Sequence, residues 1–266
     1  MTEAIAVTLI DEALKRAGIK TGDVICVQSD VSPIMELCGL EWWEDVLELV
    51  KNCFLNVIGA SGTLLVPTYN WDFSTKGKTY IHNVTPSQVG LFSNFILFNE
   101  SSIRSFHPVY SFAAIGPHAP ALFEGISKSS YGHNSVFQRL HQMNAKMVFF
   151  NLTLKQGATF IHYVEQMENV DYRFVKEFHG RVQRDGQEFE DTFDLYVRYR
   201  DRNIITYLDR LEASMAAKGK TTKVLIADQY PLVVAYTDDI YNSVLENLKT
   251  APYFLIQYPP SIENKA

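Results

Sequence analysis

The amino-acid sequence predicts an α/β fold, namely a three-layer α/β/α arrangement with a mixed central β-sheet. Short apolar strands alternate with amphipathic helices along most of the 266 residues. Two β-rich runs on either side of Asp185-Gly186 form a hairpin signal, which argues against an entirely parallel sheet. No linker rich in Pro, Gly or Ser divides the chain. We therefore expect a single domain over residues 1–266, with a β-hairpin insertion near 173–198.

The elements of the first half follow from hydrophobic spacing. Apolar residues at helical spacing predict a helix between the N-cap residue Thr2 and Gly18. Residues 68–84 show no clean period and are predicted to be a functional or disordered loop. Thr85-Pro86 resembles a helix start, with proline at the first helical position. The other predicted elements of this half are a helix over 41–54 and strands over 24–27, 63–66 and 110–115.

The second half continues the alternation on both sides of the hairpin. Gly157 precedes an amphipathic stretch that predicts a helix over 158–167. The other predicted elements are helices over 136–142, 203–218 and 238–248 and strands over 146–151, 224–227, 232–235 and 253–256.

Composition excludes several classes of protein. The chain is 47% hydrophobic and 20% charged, which is typical of a globular domain rather than a disordered or collagen-like one. Its net charge of -6 provides no basic excess for a phosphate backbone, so we expect no nucleic-acid partner. No apolar run approaches the roughly 20 residues that span a bilayer. Acidic residues interrupt the amino-terminal apolar residues, so no signal peptide is predicted and we expect a cytoplasmic protein.

Common catalytic and metal-binding motifs are absent from the sequence. It has no GxGxxG after a strand, Walker loop, GxSxG or HExxH, so dinucleotide redox chemistry, P-loop phosphoryl transfer and zincin chemistry lose support. Cys26, Cys38 and Cys53 show no CxxC spacing. We interpret them as buried reduced thiols and expect no metal.

Two histidines are candidates for chemistry. His162 and Glu165 are three residues apart on a predicted helix, so both side chains lie on one face. A carboxylate next to an imidazole fixes its tautomer and raises its basicity, as a general base requires. A surface hydrogen bond is the alternative interpretation of this pair. His107 precedes Pro108 and a strand, where it is either functional or the cap of a turn. Residues 151–157 lead into the helix of His162, whose N-terminus suits an oxyanion or phosphate.

Several segments together resemble the aminoglycoside 3-N-acetyltransferase family. They are Thr63–Tyr69, Thr85–Gly90, Arg104–Ser111 with Ala114 and Gly116, Tyr131-Gly132 with Ser135, His162 with Glu165, and Gly22-Asp23-Val24 leading to Ser29. They occur in the order and at about the spacing of that family, over roughly residues 5–170. Gln28-Ser29-Asp30 departs from the His-Ser-Ser that the family usually has there, and Cys38-Gly39 from a glycine pair.

The resemblance implies transfer of an acetyl group from acetyl-CoA to an amine of an amino sugar. His162 would be the general base, oriented by Glu165, with direct attack of the amine and no acyl-enzyme. The resemblance also assigns coenzyme contacts to Ser29, Asp30, Val31, Arg104, His107 and Ser111. Acceptor contacts are expected from Tyr69, Trp71, Asp72, Ser87 and Tyr172.

The sequence leaves more than one class of acceptor open. Lys76, Lys78 and His82 lie near Asp72 and suit an anionic or neutral acceptor, whereas polycationic aminoglycosides need an acidic cleft. We therefore prefer a biosynthetic amino sugar, such as a nucleotide-linked sugar of surface polysaccharide, over an antibiotic. The alternatives are an aminoglycoside acetyltransferase of antibiotic resistance, a non-catalytic coenzyme A or sugar-binding protein, and an acyltransferase with Cys38 as nucleophile and His107 as base. The predicted partner is a small amino sugar, and a homodimer is compatible with the sequence.

Overall fold

A seven-stranded sheet forms the centre of the computed structural model, which describes residues 2–259. Strands are numbered in chain order: β1 Val24–Ser29, β2 Thr63–Pro67, β3 Tyr80–Ile81, β4 Ile103–Arg104, β5 Phe112–Ile115, β6 Lys146–Phe150, β7 Arg173–Arg184, β8 Gln187–Arg198, β9 Thr222–Ile226 and β10 Tyr230–Tyr236. The order in the central sheet is β4-β5-β2-β1-β6-β10-β9.

The helices are likewise numbered in chain order. They are α1 Glu3–Arg16, α2 Ser32–Cys38, α3 Trp43–Ile58, α4 Asp72–Lys76, α5 Leu91–Leu97, α6 Ala119–Phe123, α7 Val136–Gln142, α8 Leu154–Gly157, α9 Ile161–Met167, α10 Asp209–Ala217 and α11 Thr237–Thr250. None of them is long and apolar enough to cross a membrane.

The central sheet is parallel in the middle and antiparallel at its edges. Ile25 of β1 pairs in parallel with Leu64 of β2 on one side and Lys146 of β6 on the other. β5 and β4 extend the sheet antiparallel beyond β2, and β10 and β9 do so beyond β6. The carboxyl ends of three central strands therefore meet at one edge, where ligands commonly bind in α/β sheets.

Alternating side chains of the sheet separate two hydrophobic cores. On one face, Val27 and Phe150 pack with α1, α2, α3 and α5. On the other face, Cys26 and Phe149 pack with helices that include α7, α9, α10 and α11. Because neighbouring strand residues point to opposite faces, each central strand is buried on both sides. The predicted three-layer α/β/α fold with a mixed sheet is thus confirmed.

The hairpin is formed by β7 and β8, but it does not belong to the central sheet. Asp185 and Gly186 both have positive φ, 52° and 77°, as a two-residue type I′ turn requires. β7 pairs in parallel with β3, so hairpin and β3 make a separate three-stranded sheet. The mixed character of the central sheet comes instead from its own edge strands.

Several element predictions were wrong. The helix expected after Thr85 begins only at Leu91, because the side chains of Thr85 and Asn94 hold the intervening segment in an irregular conformation. Residues 253–256 form turns with a single bridge from Thr206 to Ile256 instead of a strand. Within 68–84 the chain forms α4 and β3, and α2 and β4 were not predicted. The three cysteines are buried and free, as interpreted from the sequence.

Candidate active site

His162 and Glu165 lie on α9, which follows the carboxyl end of β6 after the short helix α8. A positive φ of 55° at Asn151 turns the chain at the end of β6. The spacing of three residues on α9 brings His162 Nδ1 to 2.5 Å from Glu165 Oε2. The Glu165 side chain is fully buried, whereas the His162 side chain is 20% exposed. The imidazole therefore forms the boundary between the buried carboxylate and solvent.

The Glu165 carboxylate has a partner on each oxygen. The Tyr172 hydroxyl donates to Oε1 at 2.9 Å, and Arg173 Nε lies 2.7 Å from Oε2. The Tyr196 hydroxyl donates to the backbone oxygen of Glu165 at 3.3 Å. These contacts come from the two strands of the hairpin and the residue before it. The hairpin therefore holds the carboxylate that orients His162.

The local charges set the protonation state of the pair. Burial, together with the positive charge of Arg173, holds the pKa of His162 below its usual range, although the Glu165 carboxylate acts in the opposite direction. Burial alone would raise the pKa of Glu165, but His162, Arg173 and Tyr172 hold it low. At neutral pH the carboxylate is ionised and the imidazole neutral. The Nδ1–H of His162 then donates to Glu165 and Nε2 keeps a lone pair.

His162 forms part of the wall of a cavity of about 640 Å³. This volume lies in the range of small-molecule sites, roughly 300–1,000 Å³. The rest of the wall comes from Tyr110, from Arg173 at the start of β7, and from the end of β8 and the loop after it, Tyr196–Arg200 and Asn203–Thr206. The ring of Tyr131 packs edge-on against the imidazole, with centroids 5.5 Å apart. A neutral histidine with a free lone pair at such a cavity can remove a proton from a bound acceptor.

Comparison with known proteins identifies the family. The family model described as aminoglycoside 3-N-acetyltransferase matches residues 26–238. The chain belongs to the aminoglycoside 3-N-acetyltransferase family. Among curated relatives, the aminoglycoside N(3)-acetyltransferases III of Salmonella sp and Acinetobacter baumannii are each 24% identical over 180 residues. The matched region spans 60% of this chain and 60% of each relative.

Solved structures share the fold of this family member. The aminoglycoside acetyltransferase AAC(3)-Xa superposes with a TM-score of 0.77 at 17% identity, covering 91% of this chain and 92% of the other. AAC-IIIb in binary complex with CoASH gives a TM-score of 0.76 at 16% identity, over 98% and 99% of the two chains. The YokD protein of Bacillus subtilis gives 0.75 at 16% identity, over 92% and 94%. At these identities the likeness establishes the fold.

The predicted coenzyme residues fall into two groups. Ser29 is the last residue of β1, and Asp30 and Val31 follow it, where Asn151 Nδ2 donates to the Asp30 backbone oxygen at 2.8 Å. The buried Gln28 Oε1 and Asn151 Oδ1 at this edge have no hydrogen-bond partner among residues 2–259. Unpaired acceptors suit a ligand with amide N–H groups, which the pantetheine arm of coenzyme A carries. The arrangement therefore fits the coenzyme, although contact by these residues stays a prediction.

Arg104, His107 and Ser111 form the second group and are buried. The guanidinium of Arg104 donates to Ser111 Oγ and to the backbone oxygens of Thr68 and Thr85. His107 Nδ1 accepts from two backbone N–H groups, and burial lowers the pKa of His107 to about 3. These contacts give the three residues a structural role next to Tyr110. Coenzyme contact through their side chains stays a prediction that their burial does not favour.

The predicted acceptor residues do not line the cavity at His162. Asp72 borders a separate cavity of about 360 Å³ and pairs with Lys76 and Lys78. Tyr69 and Ser87 are buried, and Trp71 is 36% exposed beside Asp72. Tyr172 is fully buried behind Glu165, so it can position the carboxylate but does not face the cavity.

Sequence reasoning missed the arginines and tyrosines that complete the site. The sequence patterns single out none of Arg173, Tyr196, Arg198 and Arg200 as site residues. The run Arg198-Tyr199-Arg200-Asp201-Arg202, with three arginines in five residues at the end of a predicted strand, was the available signal. The Cys38 alternative loses support, because burial raises the pKa of this thiol and leaves it protonated. No group of three or more His, Cys, Asp or Glu side chains is placed to hold a metal within residues 2–259.

Proposed function

We propose that the chain is an N-acetyltransferase that transfers the acetyl group of acetyl-CoA to an amine of an amino sugar. The observation that carries the proposal is the pair of His162 and Glu165, with Nδ1 and Oε2 2.5 Å apart, at the wall of a cavity of substrate size. Family membership and the CoASH complex of the similar AAC-IIIb support the choice of coenzyme.

The geometry supports direct transfer with His162 as the base. An alkylamine has a pKa of about 10.4 and is protonated at pH 7, so it must lose a proton before it can attack. That first proton goes to solvent. His162 Nε2 takes a second proton from the nitrogen as the nitrogen bonds to the thioester carbon, while Glu165 stabilises the imidazolium through Nδ1–H. The carbon–sulfur bond then breaks, and the imidazolium gives its proton to the thiolate of coenzyme A. His162 is the one protein base in this scheme, and no covalent enzyme intermediate forms.

The comparisons favour aminoglycosides as the acceptor class. The curated relatives are named as aminoglycoside N(3)-acetyltransferases, and the similar AAC-VIa was solved with sisomicin bound. The preference for a nucleotide-linked sugar of polysaccharide biosynthesis finds no support among these proteins. Its charge argument also fails, because Lys76 and Lys78 are both paired with Asp72.

A thiol-release assay tests the proposal. Acetyl-CoA is offered with a panel of aminoglycosides and simple amino sugars, and free thiol is measured. We expect turnover with at least one amine and a loss of about 10²–10⁴-fold in kcat for His162→Ala. His179→Ala, at an exposed histidine of the hairpin, is the matched control and should retain full activity. Absence of thiol release with every amine, or full activity of His162→Ala, would contradict the proposal.

A further inference from the structure

The cavity at His162 is lined by arginines and by no carboxylate. Arg173, Arg198 and Arg200 contribute to its wall, and no Asp or Glu of the described chain does so. The charge of Arg173 is matched by the buried Glu165. Among residues 2–259, neither Arg198 nor Arg200 forms a salt bridge with a carboxylate. The wall therefore carries net positive charge.

The loop after β8 fixes these arginines in place. Arg198 Nη1 donates to the backbone oxygen of Ile204 at 2.9 Å, which closes the loop over residues 199–203. Between the two arginines, Tyr199 packs against Phe174 with ring centroids 4.6 Å apart. Arg202 lies over the Tyr199 ring, with its guanidinium carbon 3.7 Å from the centroid. Arg198 and Arg200, on either side of an anchored tyrosine, are thus presented together to the cavity.

We propose that the preferred acceptor carries an anionic group, a phosphate or a carboxylate, in addition to its amine. Arg198 and Arg200 would bind the anion while the amine meets His162 Nε2. Guanidinium groups bind phosphate and carboxylate through paired N–H donors, and charge-assisted hydrogen bonds are stronger than neutral ones. A polycation in the same cavity would face like charge without a carboxylate to offset it. This inference rests on the proposed acetyl transfer and concerns only the acceptor. It departs from the aminoglycosides in the relatives' names, because the described wall of this cavity has arginines and no carboxylate.

Coenzyme A also carries phosphates, so it is a second candidate ligand for Arg198 and Arg200. The two sources make different kinetic predictions. If the arginines bind the acceptor, removing one of them weakens kcat/KM for the anionic acceptor and leaves the KM of acetyl-CoA unchanged. If they bind the coenzyme, the KM of acetyl-CoA rises equally with every acceptor.

The decisive comparison uses glucosamine and glucosamine 6-phosphate, which present the same amine with and without an anion. We expect kcat/KM to be about 10-fold or more higher for the phosphate, as one charge-assisted contact provides. In Arg200→Gln this preference should fall by about 10-fold. Arg16→Gln, an exposed residue of α1 on the opposite face of the sheet, is the matched control and should keep the preference.

A binding measurement separates this inference from the proposed function. Calorimetry with glucosamine 6-phosphate should show binding to the wild type and to His162→Ala, and binding weakened about 10-fold in Arg200→Gln. That result supports the anion site even if no amine releases thiol, in which case the proposed function alone fails. Equal use of both sugars, better use of a polycationic aminoglycoside, or an effect confined to the KM of acetyl-CoA would overturn the inference.

Discussion

Arg173 pairs with Glu165 through Oε2, the same carboxylate oxygen that faces His162 Nδ1. One buried anion therefore lies between two nitrogen groups, and only one of these changes charge near neutral pH. The arginine neutralises the carboxylate permanently. The histidine remains free to gain and lose a proton.

Replacement of Arg173 should shift the pH dependence of the reaction. The positive charge of Arg173 helps to hold the pKa of His162 below its usual range. Without it the imidazolium is favoured, so in Arg173→Met the acid limb of kcat/KM against pH should move to higher pH. Arg16→Met is the control and should leave the limb in place. An unchanged or lower limb in Arg173→Met would contradict the electrostatic role given to this residue.

The charge of Glu165 should matter more than its hydrogen bond. Glu165→Gln retains an oxygen toward Nδ1 but cannot stabilise the imidazolium by charge, so we expect kcat to fall by about 10–10²-fold. It also leaves Arg173 buried without a counter-ion, which costs about 3–5 kcal/mol in the free energy of unfolding. Steady-state kinetics and urea unfolding measure the two effects separately. Wild-type kcat in Glu165→Gln would contradict a role of Glu165 in the mechanism.

Acid should destabilise the fold through His107. Burial lowers the pKa of this residue to about 3, against about 6.5 in the unfolded chain. Between these values only the unfolded state binds the proton, so stability is complete above pH 6.5 and falls as the pH drops toward 3. The slope from this one residue is about 1.4 kcal/mol per pH unit. His82, whose pKa burial lowers to about 4, acts in the same direction.

Urea unfolding at a series of pH values tests this assignment. His107→Asn should lower stability at pH 7, because two backbone N–H groups lose the ring nitrogen that accepts their hydrogen bonds. It should also flatten the dependence of stability on pH between pH 6.5 and 4. His179→Asn, at an exposed position, should retain the wild-type slope. An equal slope in all three proteins would mean that other groups cause the acid sensitivity.

Gly116 should tolerate no side chain. It has a φ of 135°, and an added Cβ would meet the Gly62 backbone oxygen and lie 2.6 Å from Thr63 Oγ1. Backbone strain and overpacking together predict that Gly116→Ala loses about 3 kcal/mol or more of stability. Gly125 also has positive φ but no atom within 4 Å of the added Cβ, so Gly125→Ala isolates the backbone strain, about 1–2 kcal/mol. Equal losses in urea unfolding would contradict the role of the contact.

The sequence predicted the layers well because their signals are local. Strands such as β2 and β6 are short apolar runs, and the turn at Asp185-Gly186 has the residues that positive φ favours. The failure at Thr85 came from side-chain contacts that hydrophobic spacing does not indicate. Its helix-start signal was overridden when the Asn94 side chain bound the backbone of Ser87. A single-sequence pattern contains no information about such a contact.

The catalytic pair was predictable because its two residues are close in sequence. The charge of the cavity was not, because its arginines come from a distant part of the chain. His162 and Glu165 are neighbours on one helix turn, so their spacing shows that they meet. Arg198 and Arg200 reach the cavity only because the hairpin folds back onto α9. The lysines that the sequence offered in their place, Lys76 and Lys78, are bound to Asp72.

The base of the hairpin contacts the candidate active site, and its tip does not. Arg173 and Tyr196 at the base contact Glu165. The tip at Asp185-Gly186 is exposed and lies at the far end of both strands from these contacts. A peptide tag inserted at the tip should leave turnover intact. Transplanting the whole hairpin from another family member would exchange the charges around the imidazole together with the strands, and so would alter acceptor choice and pH response in one step.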